Sequence, residues 1–346
     1  MKNYDLIVEL GSSNTSIYKK DWGVVLKEPT LVAIESSKGK DEVIAVGEEA
    51  KKLIGKTNKN VDLVMPIVDG VVKNLSCARK MLEKFLTKVG EKNNFSRKNI
   101  IFSVPCGVNR KEQQDFKNLA YMLNAKNIEL IPNVFFALAG MTIDNMTSPK
   151  IIVNMGGGVT DIAVISNCEI ISGCTVAMGN RSLENKIIDE IINKYSIEIS
   201  RKDAEDIKKE VSTLLPNDII EYEVFGVDIN TSETRAIKAH SQDFLNLFTE
   251  YYSSIVNAIS AVIKSCSVEI RNDIVKGGIL VCGGNATING LERFLRGRLN
   301  LPIHIATDPK SATIIGINKV IKNPKLLNSI INNVIYWFLL LVVQLN

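Results

Sequence analysis

The sequence predicts a duplicated α/β fold, two lobes enclosing a cleft. Two observations carry this prediction and a third sharpens it. A strand, a tight turn of small residues and a second strand occur twice, with tips near Gly11 and Gly156. Each unit is followed by more strands and then by helices, as in a repeated α/β unit. A third small-residue turn, Gly283-Gly284-Asn285-Ala286, follows a buried strand late in the chain. Turns from the two lobes would face each other across the cleft.

The chain has 346 residues, enough for two or three domains and a core that needs no disulfide staples. With 45% hydrophobic and 23% charged residues and nine prolines, it is not a collagen, a disordered tail or a small secreted scaffold. Lys plus Arg is 42 and Asp plus Glu is 38, a net charge of +4, which argues against a nucleic-acid partner. The cysteines at 77, 106, 168, 174, 266 and 282 form no C-x-x-C pair. With only two histidines, His240 and His304, zinc-ligand spacing is absent, and the thiols read as reduced and buried in a cytosolic protein. The first apolar run is too short for the hydrophobic region of a signal peptide.

Along the chain, Leu6-Ile7-Val8, the turn at Gly11-Ser12-Ser13-Asn14 and Thr15-Ser16-Ile17-Tyr18 read as strand, turn, strand. Short strands are expected at 24–26, 31–35 and 43–46. Leu75, Ala78, Leu82, Phe85, Leu86 and Val89 share one helical face. A strand runs from Ile100 to Val104, and Asn109 with Glu112 makes a capping box for the next helix. Ile128–Ile131 is a short strand. The pattern then restarts: strand 150–155, the turn Gly156-Gly157-Gly158, strand 161–165 and a third strand at 169–175. Helices carry Leu183, Ile187 and Ile191, then Ala204, Ile207 and Val211 behind the cap Ser200. Residues 217–239 are polar and β-like, and a long helix covers Phe244 to Val262. Strand 278–282, helix 291–299 and a helix at 310–321, capped by Asp308 with Pro309 at its first position, complete the second lobe.

The turns also suggest chemistry. Small residues at Gly11-Ser12-Ser13-Asn14-Thr15 let backbone N–H groups and hydroxyls approach a phosphate. Three glycines between two apolar strands, at Gly156-Gly157-Gly158, weaken a hairpin unless something must come close. Gly283-Gly284-Asn285 fits a flat ring lying against backbone.

These residues resemble the actin/Hsp70/sugar-kinase superfamily, and within it the bacterial actin-like MreB family. Leu10 to Thr15 is similar to that family's LGTANT turn, and Glu28 to Ile34 to its NEPSVVAI segment. Pro66 to Val71 resembles PMKDGVI, and Val104 to Val108 resembles VPCGVT. Asn154 to Ser166 resembles DIGGGTTDVAVIS. Cys282-Gly283-Gly284 with Gly290-Leu291 resembles TGGGALLRGL, and Pro302 to Ala306 with Asp308-Pro309 resembles PVHVAEDP. The match runs colinearly from about residue 4 to residue 321.

The resemblance implies an actin-like fold of four subdomains, duplicated on a ribonuclease H-like unit, with ATP or ADP and Mg2+ in the central cleft. Lobe I would be 1–145, with a small subdomain at about 30–74. Lobe II would be 146–321, with a small subdomain at about 181–240, and 322–346 a C-terminal extension. Gly11, Ser12, Ser13 and Asn14 would meet the phosphates from one lobe, and Gly156, Gly157, Gly158 and Val159 from the other. Glu205 and Lys208 would lie beside the ribose and adenine. Gly283, Gly284, Asn285, Ala286 and Thr287 would line the adenine side.

Several positions depart from the family pattern. Glu9 stands where the family has Asp, moving the carboxylate out by about 1.5 Å. Asn154 replaces the Asp of the second phosphate turn, so the implied metal position has Glu9 and Asn154. The EEP segment, whose glutamate orients the attacking water, is matched by Pro132-Asn133-Val134, and Asn133 cannot act as a base at neutral pH. Thr160, the other family residue near that water, is kept. The expectation is an ATP-binding, filament-forming shape protein whose hydrolysis is slow or absent. Asn285, in place of the third glycine, would crowd the adenine or cap the next helix.

Partners implied are further copies of the chain in filaments, paired antiparallel in this family, sister actin-like filaments and membrane proteins of the shape-determining complex. A cytoplasmic position at the inner face of the membrane follows from the same resemblance. Two segments offer membrane contact. The loop Asn93-Asn94-Phe95-Ser96 presents one large apolar side chain. Val334 to Val343 is wholly apolar, and a ten-residue helix there would be ~15 Å long, half of a hydrocarbon core. It would dock with Tyr336 and Trp337 at the headgroups, or pack on the body or a partner filament. The alternatives are a partner-dependent actin relative that needs no nucleotide, or a sugar-kinase-like phosphotransferase with Asp69 or Asp161 as base. An Hsp70-like chaperone would need a peptide-binding domain that the residues after 321 cannot supply.

Overall fold

The computed structural model describes residues 4–37, 40–56, 60–91, 98–142 and 146–344. The first lobe opens with β1 (Leu6–Leu10), β2 (Asn14–Lys19) and β3 (Gly23–Pro29). A small sheet follows from β4 (Val32–Ser37), β5 (Lys40–Val46) and β6 (Val61–Val64), with the one-turn helix α1 (Glu48–Lys51) between the last two. The hairpin β7 (Ile67–Val68) and β8 (Val71–Val72) leads to α2 (Leu75–Lys88), β9 (Asn99–Val104), α3 (Arg110–Met122), β10 (Asn127–Pro132) and α4 (Asn133–Met141). The capping box of α3 forms as its sequence indicates: Asn109 Oδ1 accepts from Glu112 N–H, and Glu112 Oε2 from Asn109 N–H.

The second lobe repeats the start with β11 (Lys150–Met155), β12 (Thr160–Ser166) and β13 (Glu169–Val176). Then come α5 (Asn180–Tyr195), β14 (Ile197–Glu198), α6 (Arg201–Val211) and the hairpin β15 (Glu221–Asp228) and β16 (Thr234–His240). The helices α7 (Ser241–Lys264) and α8 (Val268–Gly277) precede β17 (Ile279–Cys282), α9 (Leu291–Leu299), β18 (Ile303–Ile305), α10 (Ala312–Ile321) and α11 (Pro324–Gln344).

The duplication is visible in the strand order. The five-stranded sheet β3-β2-β1-β9-β10 has its counterpart in β13-β12-β11-β17-β18. In both, the first strand runs antiparallel to the second and parallel to the strand that returns after the helices. The two tips close alike, Gly11 N–H donating to Asn14 O at 3.0 Å and Gly156 N–H to Val159 O at 2.8 Å. The registers make Glu9 the counterpart of Asn154, and Ser16 that of Asp161.

Each lobe has its own apolar core, and a third core joins them. That shared core holds Ile7 and Ile101 from one sheet, Ile152 and Ala163 from the other, and α4, α10 and α11. Helix α4 is buried on all sides, so its sequence is apolar all round and shows no helical stripe. It crosses α10 at backbone contact. A Cβ on Gly140 would lie 1.9 Å from Ala312 O, and one on Gly316 1.7 Å from Phe136 O.

Two expectations are corrected, and the β-like reading of 217–239 holds. The last helix of the second lobe starts at Ala312, not at Lys310. Asp308 and Pro309 form a turn instead, because the Pro309 carbonyl accepts Gly283 N–H at 2.8 Å and so pins the small-residue turn after β17. Residues 217–239, β-like but without periodicity, form an antiparallel hairpin in which Val224, Ile237 and Ala239 face the core. The apolar C-terminal segment is part of a helix that begins ten residues earlier, at Pro324. Leu326, Leu327, Ile330, Val334 and Trp337 form its buried stripe. Trp337, expected at the headgroups in the docking reading, is 5% exposed and donates Nε1–H to Cys106 O at 2.8 Å. Tyr336, on the outer side, is 63% exposed. The loop carrying Phe95 lies outside the described residues. Among the described residues no helix is long and apolar enough to cross a membrane.

Trp337→Ala removes a buried indole and its hydrogen bond, so unfolding free energy should fall by about 3–5 kcal/mol. Tyr336→Ala, one residue before it, should stay within about 0.5 kcal/mol, as surface changes do. Urea unfolding of both variants checks the pair.

Candidate functional site

The two tips meet at the mouth of a cleft of about 750 Å³, within the range of small-molecule sites. A Cβ on Gly157 would sit 2.3 Å from Ser13 Oγ, and one on Gly158 2.1 Å from Ser12 Oγ. Only glycine lets the second turn come this close to the first. Neighbouring bonds hold the first turn: Ser12 Oγ accepts Gly70 N–H at 2.9 Å, and Thr30 Oγ1 donates to Gly11 O at 2.7 Å.

Of the residues singled out from the sequence, Glu9, Gly11, Ser12, Ser13, Asn14, Asn133, Asn154, Gly156, Gly157, Gly158 and Val159 line this cleft. Glu205, Lys208, Gly283, Gly284, Asn285 and Thr287 line it as well. Thr160 and Ala286 do not. Thr160 is fully buried and its hydroxyl donates to Met178 O at 2.6 Å. Lys208 is paired with Glu184 at 2.6 Å, and Glu205 with Lys209 at 2.8 Å. Asn285 does not cap the following helix, whose N-cap is Gly290; it sits in a short 3-10 turn, and its backbone oxygen accepts Tyr252 O–H at 2.8 Å.

The floor of the cleft is a polar network around Asp161, which is 1% exposed. Its Oδ1 accepts Cys106 N–H at 3.0 Å and the Thr175 hydroxyl, and its Oδ2 accepts Asn133 Nδ2–H at 2.6 Å. Burial pushes the Asp161 carboxyl up from its usual range, opposed by the bonds from Thr175, Asn133 and Cys106. Asn154 Oδ1 accepts the Cys282 thiol at 3.6 Å.

Five buried side-chain polar atoms among the described residues have no partner: Tyr18 Oη, Ser103 Oγ, Asn133 Oδ1, Asn180 Oδ1 and Asn285 Nδ2. Ser103, Asn133, Asn180 and Asn285 all line the cleft. Unsatisfied buried groups are few in native proteins and each costs about 1–3 kcal/mol. Four of the five thus belong to residues that line one cleft. Sequence reasoning missed Ser103, Asn180, Tyr252 and Lys27, which also line it. A lone serine inside the apolar run Ile101-Phe102-Ser103-Val104 was the available signal for one of them.

The floor offers a divalent ion few anionic ligands of the protein's own. Glu9 is the one carboxylate on the floor beside the first turn, its counterpart Asn154 is neutral, and both Asp161 oxygens are engaged. Among the described residues, no group of three or more His, Cys, Asp or Glu side chains is placed to hold a metal. Burial raises the Glu9 carboxyl to about 7, against the pull of Lys27.

Two duplicated sheets around a cleft, with paired small-residue turns meeting over it, define an actin-like protein. The family model described as MreB/Mbl protein matches residues 3–329, and the chain belongs to that family. It is 32% identical over 322 residues to the cell shape-determining protein Mbl of Bacillus subtilis strain 168, covering 92% of this chain and 96% of that one. It is 31% identical over 329 residues to the cell shape-determining protein MreB of Escherichia coli K12, covering 93% and 94%. Among solved structures, MreB5 of Spiroplasma citri bound to AMPPNP superposes with a TM-score of 0.87 at 27% identity, over 94% of this chain and 98% of that one.

Because the Glu9 carboxyl is raised from about 4.5 to about 7 in the folded protein, the unfolded chain loses its proton first as pH rises. The native state is therefore destabilised as pH climbs from about 4.5 to about 7. Glu9→Gln should flatten that part of the stability–pH curve, measured by denaturant unfolding at intervals across it.

Proposed function

We propose that this chain binds ATP or ADP in the cleft and polymerises into shape-determining filaments, with slow or absent hydrolysis. The observation that carries the reading is the set of orphan polar atoms lining one cleft beneath two facing turns. Backbone N–H groups and hydroxyls of 12–14 and backbone N–H groups of 157–159 would hold the phosphates from opposite lobes. Glu205 and Lys208 would stand beside the ribose. Gly284, Asn285 and Thr287 would stand beside the adenine, with the Asn285 amide finding there the acceptor it lacks. The relative in Spiroplasma citri is bound to AMPPNP, a triphosphate analogue, which supports the same ligand class here.

Hydrolysis needs a group that takes or steers the proton of the attacking water. Asn133 has no basic site, and its amide N–H is given to Asp161. Asp161 already receives three donors, and the Thr160 hydroxyl donates its hydrogen bond to Met178 O. The same facts weigh against a phosphotransferase: Asp161 is engaged and Asp69 does not line the cleft. A membrane contact would fall on the outer side of α11, where Ile335 and Tyr336 are exposed, since Trp337 is turned inward.

Sedimentation of the purified chain with and without ATP, with phosphate assayed in the supernatant, tests the main reading. ATP-dependent pelleting is expected, with phosphate release about 100-fold or more below a relative carrying the family glutamate, the range general-base loss covers. Release at the relative's rate would overturn the hydrolysis reading, and pelleting indifferent to ATP the ligand reading. Ile335→Glu together with Tyr336→Glu should abolish flotation with anionic vesicles while leaving ATP-dependent pelleting intact. Truncation would not test this, because it removes Ile330, Val334 and Trp337 from the shared core.

A further inference from the structure

The cleft floor carries a lysine that acts on Glu9 and Asp308 through space without bonding to either. Lys27 on β3 lies beside Ser16 on β2, and Ser16 beside Glu9 on β1, which pairs in turn with Ser103 on β9. Lys27, Ser16, Glu9 and Ser103 therefore form one row across the first-lobe sheet, and all four line the cleft. Neighbouring strands lie about 4.8 Å apart, so Lys27 and Glu9 are separated by about 10 Å of backbone. A four-carbon lysine stem covers much of that span. The corresponding row of the second lobe is Thr175, Asp161, Asn154 and Cys282. Of its side chains, only Asp161 carries charge, and its oxygens are engaged.

Lys27 is exposed, and it makes no hydrogen bond or ion pair with any described residue. Lys208 and Lys209, also lining the cleft, are held by Glu184 and Glu205. The floor has thus lost one carboxylate at Asn154 relative to the pattern it resembles, and two strands from Glu9 it keeps a cation that no described residue bonds, although Glu9 and Asp308 feel its charge. Both features shift the floor toward positive charge, where a polyphosphate brings negative charge and a divalent ion is ordinarily needed to neutralise it.

We propose that Lys27 supplies, from the protein itself, part of the positive charge a divalent cation would bring, so that nucleoside polyphosphate binds this cleft nearly as well without the metal. This rests on the nucleotide reading given above. It differs from it in what it requires of Lys27: a point charge on a flexible stem facing phosphate, replaceable by arginine but not by a neutral side chain.

Titration calorimetry of the full chain with ATP, once in excess magnesium and once in EDTA, separates the possibilities. The native chain is expected to bind with Kd values within about threefold of each other. Lys27→Asn should weaken binding at least about tenfold in EDTA and by less than about threefold in magnesium, as removal of one cleft charge predicts. Lys27→Arg should behave as the native chain. Native binding that falls about tenfold or more in EDTA would overturn the proposal while leaving the nucleotide reading in place. So would Lys27→Asn binding that changes equally in both buffers or not at all. If the native chain binds ATP in neither buffer, the nucleotide reading fails and this proposal with it.

Discussion

The close approach of two turns sets the rest of this structure. Gly157 and Gly158 stand where any side chain would strike Ser13 and Ser12. That contact fixes how near the lobes come and aligns the two sheets, so that matching rows of their first strands face one cleft. It also explains the amino acids around it. Ser12 is held by Gly70 N–H and the first turn by Thr30, so that the first turn is braced where the second presses on it. A hairpin loses stability by placing three glycines between apolar strands. Here that loss lets the second turn lie directly against the first.

On the far side of the cleft the lobes are joined by packing. Helices α4 and α10 cross at backbone contact, and α11 lies over both lobes. Asn333 Nδ2 donates to Asn167 O at 3.1 Å in the second lobe, while Trp337 donates to Cys106 O in the first. Cys106 N–H in turn donates to Asp161, which accepts from Asn133 on the cleft floor. A continuous set of hydrogen bonds therefore links the C-terminal helix to the floor of the site. Chain segments distant in sequence depend on one another there: residue 337 holds the loop at 106, and that loop holds the carboxylate at 161.

Much of the fold was legible because its signals are local. The two strand–turn–strand units, the capping box at Asn109 and Glu112, and helix 291–299 all come from spacing and turn residues a few positions apart. What escaped depended on long-range contacts. Helix α4 has no periodicity to read, because it is enclosed on every side. The start of α10 moved to Ala312 because the Pro309 carbonyl is needed by Gly283, 26 positions earlier by number, and no local pattern carries that. The C-terminal segment looked like a short free apolar helix because its buried stripe begins among asparagines and lysines, at Leu326 and Leu327. In the site, glycine and small-residue turns announced themselves. Lys27, Ser103 and Asn180 did not, since one polar residue in a strand or at a helix start is ordinary until its neighbours across the sheet are known.

Hydrogen exchange would show whether both turns grip one ligand. Amide exchange of the native chain would be followed by mass spectrometry with and without saturating ATP. Slower exchange is expected in the segments around 11–14 and 157–159 together, with the segment around 284–287 protected alongside them. Protection of only one turn, or of neither, would contradict a shared grip.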